Sequence, residues 1–140
     1  MNYSLDQILR EQNLVRSKHD TMIKQVSDST QISPNVETIY TSAYFKQSTK
    51  HKRWEGDIDL LQSFFDSKQY VGWEEVPFNK TTLLIWEMKT TDTTKSYHRA
   101  ISQLKKEKLF LQTFTNYQSI DCFYCFGVGN SYSWRVEKEL

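Results

Sequence analysis

A chain of 140 residues with 38% hydrophobic content can enclose one core and leaves no room for another, so residues 1–140 are expected to form a single domain. Its 18 basic and 17 acidic residues give a formal charge of +1, which excludes a histone-like polycation that holds nucleic acid by bulk charge. Any nucleic-acid contact must be local.

The amino-terminal segment lacks the basic-then-apolar layout of a secretory signal, and no window approaches about 18 consecutive apolar residues. The expectation is a cytoplasmic protein that is neither secreted nor set in a membrane.

Taken in chain order, Ser4 and Gln7 resemble a capping box, and Leu5, Ile8, Val15, Met22 and Val26 then recur at helical spacing. This predicts a first helix over residues 4–26. Turn formers around Pro34 predict a loop, and the β-branched and aromatic residues of 36–45 and 54–65 predict two early strands. Between them, Lys46, Lys50, His51, Lys52 and Arg53 make a polar tip. It reads either as a solvated hairpin loop or as a loop that touches phosphate, since it runs directly into an acidic stretch.

Residues 81–89 are apolar on both faces for several positions, as in a central strand. A helix is predicted over residues 94–112, with Tyr97, Ala100, Ile101, Leu104 and Leu111 on one face and Arg99, Lys105, Lys106 and Lys108 outside it. Residues 120–128 and 132–136 flank a Gly-Asn-Ser turn and predict a closing β-hairpin. The fold class is α/β. Cys122 and Cys125 lack a second pair to complete a zinc or iron-sulfur site, and on a strand they point to opposite faces, so both read as small buried residues.

The chemistry concentrates in two short stretches. In Trp-Glu-Gly-Asp-Ile-Asp-Leu at 54–60, alternation sends Glu55, Asp57 and Asp59 to one face and Trp54, Ile58 and Leu60 to the other. In residues 83–89 the same rule sets Glu87 beside Lys89, with Leu84, Trp86 and Met88 opposite. A carboxylate and an ammonium at the end of a buried strand cost desolvation unless partners compensate. The bland alternative is that Glu87 and Lys89 merely pair at the rim of a sheet. Asp59 placed across from Glu87 would instead form a carboxylate cluster, whose mutual repulsion a divalent cation relieves.

This order of an Asp on one strand, Glu-x-Lys on the next and then a helix resembles the PD-(D/E)XK nuclease superfamily, matched here by Asp59 and Glu87-Met88-Lys89 over about residues 50–112. Residues 56–61 and 85–90 look like its resolvase-like and RecB-like branches. Ile58 stands where the pattern has proline. The resemblance implies a restriction-endonuclease-like core, a central mixed β-sheet flanked by helices. It also implies a metal-dependent endonuclease that hydrolyses phosphodiester bonds in DNA.

By the same resemblance, Asp59, Glu87 and the Met88 carbonyl would hold Mg²⁺ or Mn²⁺, and Lys89 would orient the attacking water. Gln103 matches the glutamine of the following helix, while Glu107 holds the place of the tyrosine usual after it. Glu11 could supply an acid from the first helix or simply face solvent. Asp57 could add an outer contact, and Lys50, Lys52, Arg53 and Thr90 are candidate nucleic-acid contacts. DNA is the expected partner, with a homodimer or a targeting subunit beside it. Two alternatives remain: a non-catalytic nucleic-acid-binding or assembly module, and a metal-dependent RNA endonuclease in which His51 or His98 reaches the metal.

Overall fold

The computed structural model describes residues 2–13 and 17–140. The helix expected over residues 4–26 is interrupted. Helix α1, Leu5–Ile8, is 4 residues long, with the Ser4 amide donating to the Gln7 side chain at 2.8 Å. Leu9 then turns extended (φ −117°, ψ 145°), which lets Leu5, Ile8 and Leu9 all enter one core. The short strand β1, Arg10–Glu11, follows, and Val15 lies outside the described residues.

Helix α2, Lys18–Thr30, has its own start signal, because the Ser17 hydroxyl accepts from the Asp20 amide at 3.1 Å and so satisfies one of the first-turn donors. Its Met22, Ile23 and Val26 are buried. The apolar spacing looked continuous across residues 4–26, but the chain spends the intervening segment on another task.

The strands divide between two sheets. One has the order β1-β3-β4, and the other β2-β5-β6-β7-β8. Residues 36–45 form not one strand but β2, Val36–Tyr40, and β3, Ala43–Ser48. The break falls at Ser42, which adopts the left-handed region (φ 128°) and accepts from the Gln12 amide at 3.2 Å. A second break at Asp59 separates β4, Arg53–Ile58, from β5, Leu60–Val71. Ala43 pairs with Ile58 in one sheet and Tyr40 with Leu61 in the other, so the two crossings between sheets lie side by side. Asp59 sits at that corner.

Strand β6, Glu74–Lys89, runs antiparallel to β5 and parallel to β7, Ile120–Val128. Helix α3, Thr94–Phe114, makes the crossover between them, and β8, Ser131–Val136, closes the sheet as a hairpin with β7. On one face, Leu104, Phe110, Leu111 and Phe114 of α3 pack with Leu83, Ile85, Phe45 and Ile58, and the Phe45 and Phe110 rings stack at 4.0 Å. On the other face, α2 covers Leu60, Trp86, Met88 and Cys125. Burial on both faces explains the unbroken apolar run of β6. Cys122 belongs to the first core and Cys125 to the second, both free thiols, as alternation requires.

The protein is thus α/β, with a mixed five-stranded sheet and a three-stranded sheet packed with helices. Among the described residues, no helix is long and apolar enough to cross a membrane.

Candidate functional site

Leu60 pairs with Trp86, so the antiparallel register carried one step further sets Asp59 opposite Glu87. Because the chain leaves the sheet just before Leu60, Asp59 occupies the corner with its carboxylate free to complete the ladder. Its Oδ2 accepts from the Met88 amide at 2.8 Å, which gives a buried N–H the partner that the departing backbone no longer offers. Asp59 and Glu87 are 9% and 3% exposed, respectively, far below what carboxylates normally tolerate.

Lys89 lies 3.5 Å from Oε1 of Glu87, and its ammonium donates to the Gln103 side chain at 2.9 Å. Alternation in the sequence points to Asp59, Glu87 and Lys89, and the family resemblance adds Met88 and Gln103. The structure brings Asp59, Glu87, Met88, Lys89 and Gln103 to one place, with Lys89 and Gln103 on its solvent side.

Two further residues join them. His19, in the first turn of α2, places Nε2 at 3.3 Å from Oδ2 of Asp59 and at 3.0 Å from the Met88 carbonyl oxygen. Its Nδ1 faces Asp20 at 3.5 Å. A ring nitrogen between two acceptors must carry a proton, and the hydrogen bond and charge of Asp59 outweigh burial to push the His19 pKa up to about 9. Glu107 of α3 is 1% exposed, and its carboxyl lies near enough to that of Glu87 for the two to act on each other's protonation. Burial first, and then the charge of Asp59, holds Glu87 well above the usual carboxylate range, with Lys89 opposing. Burial and the charge of Glu87 do the same to Glu107.

Both residues left signals in the sequence. Ser17 and Asp20 mark the helix start that delivers His19. Glu107 falls within the spacing of Ala100, Leu104 and Leu111, a glutamate inside an apolar stripe.

Other candidates lie elsewhere. Glu11 is on β1 rather than on a helix, pairs with Ala43, and makes no hydrogen bond or ion pair with Asp59, Glu87 or Lys89 among the described residues. Asp57 is exposed and accepts from the Gln12 side chain. The basic tip joins β3 to β4 at the far end of β4 from Asp59. At about 3.3 Å per residue, Arg53 and Asp59 are separated by about 20 Å. Sequence neighbours are therefore remote in space, because an extended strand lies between them.

At that tip, Lys50 is exposed, the Lys52 ammonium lies 3.8 Å over the Trp54 ring, and Arg53 pairs with Glu55 at 3.3 Å. His51 is at the tip and His98 stands edge-on to Tyr97, so the histidine that reaches the acidic pair is neither of these. Thr90 follows Lys89 directly, and its carbonyl packs so closely on Gly127 that an added Cβ there would overlap it. On α3, Arg99 and Lys105 are exposed, whereas Lys106 lies over Gly56 and Lys108 bonds the Leu140 carbonyl.

No protein-family model, curated protein or solved structure matches this chain. What the site can do follows from its own donors. Its carboxylates and the Met88 carbonyl are hard oxygen ligands, of the kind that suits Mg²⁺ or Mn²⁺. Oε2 of Glu87 and Oε2 of Glu107 are buried without a hydrogen-bond partner, which is costly unless a cation or proton meets them. Among the described residues, no three His, Cys, Asp or Glu side chains already stand in a coordinating array, and His19 engages both Asp59 and the Met88 carbonyl. The donor chemistry fits a divalent cation, and binding it would require His19 to release those two oxygens.

Proposed function

We propose that this protein is a metal-dependent endonuclease that hydrolyses phosphodiester bonds in DNA, built on a restriction-endonuclease-like core. The observation that carries the reading is the placement of Asp59 opposite Glu87 at the buried end of β5–β6, with Lys89 ion-paired beside them and α3 following directly. A mere rim pair would not need Asp59 at the corner or a second buried carboxylate. The mixed sheet, with helices on both faces, supports the core that the resemblance implies.

In this reading, Asp59, Glu87 and the Met88 carbonyl hold Mg²⁺ or Mn²⁺. When bound, the ion supplies Lewis acidity that acidifies a water nucleophile and offsets negative charge at the phosphate. Lys89, steadied by Gln103, orients that water or donates to a phosphate oxygen as charge grows there. Thr90, next along the backbone, contacts the substrate in this reading.

The test is a digestion panel of duplex DNA, branched DNA, single-stranded DNA and single-stranded RNA with Mg²⁺, Mn²⁺ or chelator. Metal-dependent DNA cleavage that disappears in Asp59→Ala, Glu87→Ala and Lys89→Ala is expected. Cleavage that survives in all three variants would reject the assignment. A second reading, an RNA endonuclease of the same metal-dependent type, is favoured by one observation: His19 touches both Asp59 and the Met88 carbonyl. Preference for single-stranded RNA, lost in His19→Ala, would select it.

A further inference from the structure

From the burial of the α3 carboxyl and its orphaned Oε2, we infer that Glu107 is a third carboxylate ligand of the cation site, holding the ion from the helix side of Glu87. The inference rests on the metal-dependent reading above and deepens it. Glu107 lies in the apolar stripe of α3, between Leu104 and Leu111, where a leucine would pack without desolvating a charge. A glutamate there gains nothing from the core.

What it meets is Glu87. Both carboxyls are more than nine-tenths buried, each lies near enough to act on the other's protonation, and each keeps an Oε2 with no hydrogen-bond partner. The neighbouring cations are engaged elsewhere. Lys89 pairs with the other oxygen of Glu87 and donates to Gln103, and His19 binds Asp59 and the Met88 carbonyl. Three carboxyl groups thus face two cationic side chains, and the oxygens that neither cation reaches are Oε2 of Glu87 and Oε2 of Glu107. A hard divalent cation drawn onto their free oxygens would complete the balance with oxygen donors alone. The competing account makes Glu107 a structural partner that merely shares a proton with Glu87. Glutamine has nearly the same shape and can donate to Glu87, so Glu107→Gln would preserve that structural role.

The experiment is calorimetric titration of the full chain with Mn²⁺ alone, beside thermal unfolding in chelator, for the wild type, Glu107→Gln, Glu107→Leu, Asp59→Asn and Trp73→Ala. Glu107→Gln should weaken Mn²⁺ binding by at least about tenfold, the lower end for losing even an outer-shell partner. Its unfolding temperature in chelator should equal or exceed that of the wild type, and Trp73→Ala should bind normally. Glu107→Leu provides the same comparison if the glutamine variant does not fold. Unchanged Mn²⁺ affinity in the Glu107 variants, with loss in Asp59→Asn, would overturn the inference and leave the nuclease reading standing. Loss in both, with no cleavage of any nucleic acid, would overturn the nuclease reading and leave the cation site. No Mn²⁺ binding by the wild type would overturn both.

Discussion

The two ends of the β5–β6 hairpin are continuous in pairing and opposite in environment. At one end, Leu60 pairs with Trp86 beneath two helices, and ionisable Asp59 and Glu87 are buried. At the other, Val71 pairs with Glu74 around the loop of Gly72 and Trp73, where Tyr70, Val71 and Trp73 are 72%, 59% and 99% exposed. Two carboxyl groups are inside, and three large apolar side chains are outside.

Backbone pairing does not decide this. β2 accompanies β5 only as far as Phe64, and β7 accompanies β6 only from Leu83, so among the described residues no other strand pairs with the rest of the ribbon. The comparison shows that burial here is set by which neighbours cover the ribbon, while the ribbon itself is held by its own ladder and by Gly72, whose φ of +66° suits the first loop position.

The largest effects are expected at the buried end. Asp59→Ala should reduce nucleic-acid cleavage to background. It also strips the Met88 amide of its acceptor, at a cost of roughly 1–3 kcal/mol of stability. Asp59→Asn keeps an acceptor and should recover most of that stability without recovering cleavage, as chemical unfolding beside the digestion assay would reveal.

Gly127→Ala comes next. The new methyl would collide with the Thr90 carbonyl immediately after Lys89, so a destabilisation of about 1–3 kcal/mol is expected, together with weaker cleavage. Wild-type stability in this variant would mean that the strand end can give way, contrary to a rigid site.

Proton linkage gives a smaller effect. The folded-state pKa values of Glu87 and Glu107 are raised above the ordinary 4.5, and that of His19 is raised from 6.5 to about 9. All three bind protons more tightly when folded. Their contribution is complete below the unfolded-state pKa and is lost as pH rises, from about 4.5 upward for the glutamates and between 6.5 and about 9 for His19. In chelator, the unfolding temperature should therefore decline toward alkaline pH. His19→Asn should flatten the portion of the decline above 6.5, and an unchanged slope there would contradict the His19–Asp59 pairing.

The exposed end should show the least. Trp73→Ala removes a side chain that is 99% exposed, so stability should stay within about 0.5 kcal/mol of wild type. A larger loss in dilute solution would mean that the tip is covered by something other than this fold.

Much of the site could be read from spacing. Alternation put Glu87 and Lys89 on one face, and Gln103 lay on the helix that follows. His19 escaped because periodicity across residues 4–26 suggested one helix, whereas the Ser17 cap starts a separate one. Glu107 escaped because it was read as a departure from a motif rather than as a buried charge in an apolar stripe. The basic tip was legible as a hairpin loop, but its separation from Asp59 was not, because nearness along an extended strand is distance in space.

The α/β class, the central strand, the main helix, the closing hairpin, the opposite faces of Cys122 and Cys125, and Glu87 beside Lys89 were all legible in the sequence. These follow from local periodicity, which each segment carries within itself. Only the tertiary structure decided that the early strands split between two sheets, that Asp59 caps the ladder at their corner, and that His19 and Glu107 arrive from two different helices. Those facts depend on contacts between residues far apart in the chain, where the cost of burying a charge is settled by whichever neighbours the fold supplies.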